Sequence, residues 1–198
     1  ENWPNELVGV GRNNVHLISP VFDEIVHNSK ILDAVEDLIG KNILAAGTTL
    51  FIKDPEKKTF VSWHQDAKYQ GFQPHNFVTA WVAITDSNQD NGCMLMWPGS
   101  HSEIKDHQDT FDENNLLTRG QTIENVPINE TIPILLKAGQ LSLHHPMTVH
   151  GSGPNLSKDR RIGFAIQSYI STNVNQYSGK TLVQLARGND EYNYHEHI

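Results

Sequence analysis

Apolar and polar positions follow two different rhythms along the chain. Up to Ile39 they recur at helical spacing. One short helix is predicted from Pro20 to about His27, with Pro20 at its first position, where the missing amide donor costs nothing. A second is predicted over Ile31–Ile39, capped by Ser29, with Ala34, Val35, Leu38 and Ile39 on one side and Gly40 as its stop. From about Ile43 the pattern changes to short alternating runs rich in β-branched and aromatic residues. Strands are expected at Thr48–Ile52, Phe60–Asp66, Phe77–Thr85, Cys93–Trp97, Ile132–Leu136, Gln140–His145 and Arg161–Ile170. Turns are expected at Asp54–Lys58 and at Ala138–Gly139. Asp90-Asn91-Gly92 reads as a hairpin turn leading into the Cys93 strand. Many short strands after a helical start point to a mainly β sandwich or jelly roll with flanking N-terminal helices.

Residues 101–131 break the rhythm. They are polar, irregular and too long for a simple connection, as lids, binding loops and partly disordered segments are. The segment holds seven acids against two bases, Lys105 and Arg119, a charge of −5. The whole chain of 198 residues carries −8, an acidic balance that argues against a phosphate backbone as partner. No apolar run approaches the roughly 20 residues needed to cross a bilayer. A single cysteine, Cys93, excludes an internal disulfide, fits a reducing, cytoplasmic setting, and reads as a packed small hydrophobe. Met94, Met96 and Trp97 are expected to pack inside the sandwich, and His144 and His145 to be structural or to support neighbouring groups.

Candidate chemistry centres on His64-Gln65-Asp66. Residues i and i+2 of a strand share a face, so one imidazole and one carboxylate converge. On its own, His-x-Asp is a pattern that any polar-alternating surface strand produces. A facial Fe(II) triad needs a second histidine and leaves coordination positions open for other ligands. His150, in Val149-His150-Gly151-Ser152-Gly153, is the candidate. Eleven residues later Arg161 opens a strand whose face continues with Gly163, Ala165 and Gln167, while Ile162, Phe164 and Ile166 lie opposite. A guanidinium followed by small residues suits a cleft for a dicarboxylate, gripped bidentately. A surface pair between Arg161 and a neighbouring acid is the simpler reading of that residue alone.

Trp63-His64-Gln65-Asp66, Ala80-Trp81, Asn91-Gly92-Cys93-Met94, Pro98-Gly99-Ser100-His101 and His150-Gly151-Ser152-Gly153 with Arg161 together resemble the phytanoyl-CoA dioxygenase family, from about Leu32 to Arg187. The resemblance implies a double-stranded β-helix jelly roll of cupin type. It also implies a dioxygenase that needs Fe(II), 2-oxoglutarate and O2 and hydroxylates a C–H bond of a small organic substrate, releasing succinate and CO2. His64, Asp66 and His150 match the iron ligands. Arg161 matches the residue that binds the distal carboxylate, Ser152 a hydroxyl assisting it, Trp81 a tryptophan lining the cofactor pocket, and Thr49 a co-substrate contact. Related halogenases carry a small residue in place of the carboxylate, so Asp66 favours hydroxylation. One oxygenase domain is expected across residues 1–198, lacking part of the family's N-terminal region. The rival readings are a cupin-type dioxygenase without an oxo acid, which has no use for Arg161, and a jelly-roll metal- or ligand-binding module. The expected partner is a small molecule, with neither nucleic acid nor membrane. An acyl-CoA is disfavoured by the acidic lid, and a small metabolite bearing an amine or quaternary ammonium fits it better.

Overall fold

The computed structural model describes residues 12–117 and 121–198. Along the chain, helices α1 (Pro20–Val26) and α2 (Ser29–Ile39) precede strands β1 (Ile43–Ala45), β2 (Thr48–Lys53) and β3 (Val61–His64). A four-residue helix α3 (Ala67–Gln70) follows. The remaining strands are β4 (Phe72–Gln73), β5 (Phe77–Ala83), β6 (Met94–Met96), β7 (Gln108–Asp109), β8 (Gln121–Thr122), β9 (Ile132–Ile134), β10 (Leu141–His144), β11 (His150–Ser152), β12 (Arg161–Ser171), β13 (Asn175–Gln176) and β14 (Gln184–Arg187). The chain forms two interleaved units. One runs up to Leu50 and adds Gln70–Trp81 and Phe164–Ile198; the other holds Phe51–Tyr69 and Val82–Gly163.

In the first unit, β1 lies between β12 and β14, all antiparallel, with Leu44 opposite Ile170. Ile43, Leu44, Phe164, Ile166 and Ile170 are fully buried. Removing such side chains from water supplies about 1.5–3 kcal/mol each, which is what holds the unit together. The helices begin and end where their local chemistry dictates. Pro20 opens α1, and Gly40, at φ 91°, closes α2 in a conformation that a Cβ disfavours. The cap of α2 is Asn28, whose side chain accepts from Lys30 N, and Ser29 is the first helical residue rather than the cap. The buried face is also rotated from the sequence expectation: Ile31, Leu32 and Val35 are buried, whereas Leu38 is exposed. Two of these core residues precede the stretch on which the expected face was drawn.

The second unit is built on an antiparallel sheet in the order β3-β11-β6-β9. His150 pairs with His64 on one side and with Met96 on the other. Strand β10 lies outside this sheet and pairs with β5, and Ala83 N donates to Gln140 O. Asp90-Asn91-Gly92 is a turn, but not that of a hairpin. It leads from β5 to β6, and those strands belong to different sheets. Asn88 and Asn91 lock it by exchanging side-chain-to-backbone hydrogen bonds. Met94, Met96 and Cys93 are buried as expected. Trp97 is not: it lies partly exposed, its indole donating to Glu130 and its ring beneath Lys105.

The described part of segment 101–131 is anchored rather than loose. Phe60 N donates to Asn114 O and Phe60 O accepts from Leu116 N, and Ile123 N donates to Trp63 O. Asn115 donates to Ser62 Oγ, and Ser62 Oγ to Gln121 O. The segment thereby runs along β3. Arg119, one of its two bases, falls outside the described residues.

Candidate metal centre

His64 ends β3, and His150 begins β11, directly opposite it in register. The two strands approach closely because the next residue is Gly151, where a Cβ would stand 3.2 Å from the Trp63 ring and 3.1 Å from Val61 O. Asp66 lies two residues past His64, already beyond the strand. Its backbone carbonyl accepts from Tyr69 N at the start of α3. The convergence of His64 and Asp66 therefore comes from a strand running straight into a helical turn, not from strand alternation alone.

One ligand atom each from His64, Asp66 and His150 lies within 4.8 Å of the others, so this set could hold a metal ion. The tautomers are organised for it. His64 Nδ1 meets Ser62 O at 2.8 Å, and His150 Nδ1 meets Thr148 O at 2.9 Å. With Nδ1–H donated to a carbonyl, each Nε2 keeps its lone pair for a metal. Both Nε2 atoms face the same carboxylate oxygen, Asp66 Oδ1, at 3.4 and 3.8 Å. Burial and the neighbouring His64 push His150 down to about 3, so its imidazole is neutral. Burial of Asp66 opposes its ionisation, yet His150, His144 and His64 together hold it well below the usual carboxylate range. Two imidazoles and one carboxylate form the donor set of the 2-His-1-carboxylate sites that hold Fe(II), and the residues present fit that ion.

His144, at the end of β10, adds a fourth group. Its Nε2 lies 3.3 Å from Asp66 Oδ2, the oxygen turned away from the other two histidines. Its ring packs 4.7 Å from that of His150. This arrangement occupies Oδ2 and leaves Oδ1 for a metal. Gln65, between the two nearest ligands, is fully buried. Its amide donates to Met147 O and Glu103 O and accepts from Lys105 N, and its backbone N donates to His107 Nε2. Residues 103–107 are thus tied to the ligand-bearing turn.

Arg161 is not a surface residue. It is 2% exposed, at the start of β12, and its Nη1 donates to Gly92 O at 2.9 Å. Its neighbour Arg160 makes the surface pair, with Asp54 at 2.7 Å. Ser152 is buried on β11, two residues from His150, and its Oγ accepts from Lys53 at 2.6 Å. Lys53 closes β2, and burial and then the charge of Arg161 disfavour its protonation. Thr49 and Trp81 belong to the first unit. Both are largely buried, on β2 and β5, and Thr49 Oγ1 donates to Asn13. Sequence reasoning missed Lys53, Gln65 and Gly92 as participants and left His144 without a partner. The one local signal was a lysine placed directly after the apolar run Leu50-Phe51-Ile52.

The chain also resembles known proteins. The family model for phytanoyl-CoA dioxygenase matches residues 5–163. The chain is 31% identical over 159 residues to a probable alpha-ketoglutarate-dependent hypophosphite dioxygenase of Stutzerimonas stutzeri, covering 77% of this chain and 55% of that protein. It is 32% identical over 138 residues to the peroxisomal phytanoyl-CoA dioxygenase of Homo sapiens, covering 67% of this chain and 41% of that one. The chain thus spans about half the length of these curated relatives. Among solved structures, the non-haem monooxygenase ThoJ in its apo form superposes with a TM-score of 0.85 at 33% identity, over 98% of this chain and 71% of that one. The nickel complex of ThoJ gives 0.79 at 32% identity, over 98% of this chain and 72% of that one.

The mainly β jelly roll with N-terminal helices is a fold of non-haem oxygenases, and it carries a His-Asp-His cluster that could hold a metal. The chain belongs to the phytanoyl-CoA dioxygenase family.

Proposed function

We propose that this protein is an Fe(II)- and 2-oxoglutarate-dependent dioxygenase that hydroxylates a C–H bond of a small organic substrate and releases succinate and CO2. The carrying observation is that His64, Asp66 and His150 present their donor atoms within 4.8 Å of one another, with both Nδ1 atoms already committed to carbonyls. Bound iron supplies the activation of O2 and the oxidative decarboxylation of 2-oxoglutarate. His64 Nε2, His150 Nε2 and Asp66 Oδ1 hold the ion, and His144 keeps the second carboxylate oxygen engaged. Arg161 holds the far carboxylate of the co-substrate, assisted by Ser152, with Trp81 and Thr49 as further cofactor contacts. Burial of Arg161 strengthens this pairing, because a charge-assisted bond out of water is less screened. A cupin-type dioxygenase without an oxo acid has no co-substrate carboxylate for Arg161 to hold. The whole of residues 1–198 acts as one oxygenase domain, with 101–131 as cover over the substrate side.

The substrate is a small metabolite rather than an acyl-CoA. Coenzyme A is a polyanion, and a segment with a charge of −5 repels it. Succinate formation above the uncoupled background, screened over small amines, ammonium compounds and acyl-CoA thioesters at two ionic strengths, tests both levels. Stimulation by small compounds is expected. Efficient turnover of an acyl-CoA, faster at low salt, overturns the substrate reading, and no stimulation by any organic compound overturns the hydroxylase.

A further inference from the structure

Strand β2 ends in a lysine that is fully buried. Lys53 Nζ donates to Ser152 Oγ at 2.6 Å, to Ser152 O at 3.1 Å and to Gly153 O. All three acceptors are neutral, so within the described residues the ammonium has no carboxylate partner. The titratable groups that face it are Arg161, from β12, and Cys93, from the turn before β6. Arg161 is a second cation. Burial pushes the Cys93 thiol up, so it stays protonated and brings no negative charge. A second cation nearby adds to the cost of holding a charge on a buried amine.

We infer that Lys53 is the proton-linked half of the co-substrate site: when the far carboxylate of 2-oxoglutarate binds at Arg161, Lys53 takes up a proton and supplies a second positive charge beside Ser152. The inference rests on the proposed placement of that carboxylate at Arg161. In the free protein, burial and then Arg161 bring Lys53 down to about 6, so near neutrality the amine is mostly uncharged. A neutral amine still donates to the carbonyls around it, which explains how it is tolerated there. An arriving carboxylate favours the charged form and raises the lysine's proton affinity. The sign of the pH dependence follows. Below about pH 6 the lysine is charged before and after binding, and affinity is fullest. As pH rises through the raised value in the complex, the added charge is lost and affinity falls. Between these limits each 2-oxoglutarate binds together with up to one proton taken from solvent.

Anaerobic calorimetry on the Fe(II)-loaded protein at pH 7.5, in two buffers of different ionisation enthalpy, counts that proton. 2-Oxobutyrate serves as the control, because it has the same oxo acid end and no far carboxylate, so protons released or bound at the iron cancel. 2-Oxoglutarate is expected to take up as much as one proton more than 2-oxobutyrate. Lys53→Met is expected to lose this excess, to bind 2-oxoglutarate about tenfold more weakly near pH 6, where the ammonium contact is fullest, and to leave 2-oxobutyrate unaffected. Lys53→Arg, permanently charged, is expected to bind without the excess proton. Equal proton uptake for the two acids in the unmodified protein overturns the inference, and this comparison does not depend on either variant folding. If 2-oxoglutarate binds no tighter than 2-oxobutyrate, the placement of its carboxylate at Arg161 falls first. If it binds tighter with no excess proton, the role of Lys53 alone falls.

Discussion

Each of the three candidate ligands carries a hydrogen bond that decides what it offers. The carbonyls of Ser62 and Thr148 take the Nδ1 protons of His64 and His150, and His144 takes Asp66 Oδ2. The last contact is the most exposed to test, because His144 touches the carboxylate without belonging to the ligand set. Partners of this kind typically change metal affinity by about 10–100-fold when removed. His144→Ala is therefore expected to weaken Fe(II) binding by about that factor while the fold persists, with competition against a chromogenic chelator as the measurement. Affinity equal to that of the unmodified protein contradicts the positioning role. The spacing His64-x-Asp66 made the first pair readable, since both side chains emerge on one side. His144 was not readable in the same way. Its partner is 78 residues away, and nothing local distinguishes it from His145.

At the scale of elements, backbone approach matters more than side-chain identity. The turn at Asp90–Gly92 is the clearest case. Gly92 has φ 72°, and a Cβ there would stand 2.4 Å from Gly153 O and 2.6 Å from Pro154 O. The same residue's carbonyl receives Arg161 Nη1. One glycine thus allows the loop after β11 to pass close by and fixes the start of β12. Gly92→Ala forces backbone to move at both contacts and is expected to destabilise the protein by about 1–3 kcal/mol. It is also expected to lower 2-oxoglutarate affinity, read by denaturant midpoint and by anaerobic titration. Unchanged values in both contradict the double role. The turn residues themselves were legible, because Asp-Asn-Gly favours positive φ. Which strands they join was not, since a tight turn encodes its own geometry but not whether the next strand pairs beside the last or in another sheet. The strand positions were legible for a similar reason, as alternation is local. The face of α2 was misread because Ile31 and Leu32 begin the buried stripe one turn before the residues used to draw it.

At the scale of the whole molecule, the chain carries a net charge of −8, and the described part of segment 101–131 is anchored to its surroundings. Gln65 ties residues 103–107 to the turn between His64 and Asp66, so this segment and the candidate metal site share a support. Among the described residues no helix is long and apolar enough to cross a membrane. The fold class and the clustering of His64, Asp66 and His150 were legible in order along the sequence. The connections among them were not: Lys53 meets Ser152 across 99 residues, and Arg161 meets Gly92 across 69. Such contacts follow from strand order, which local pattern does not encode. The central claim is that His64, Asp66 and His150 hold an iron that consumes 2-oxoglutarate. The most direct test is conversion of 2-oxoglutarate to succinate by the purified protein with Fe(II) and O2, compared with Asp66→Ala and His150→Ala. Succinate formation by the unmodified protein, abolished in both folded variants and absent without added iron, is the expected result. Undiminished succinate formation in either variant, or none from the unmodified protein with iron bound, contradicts the account.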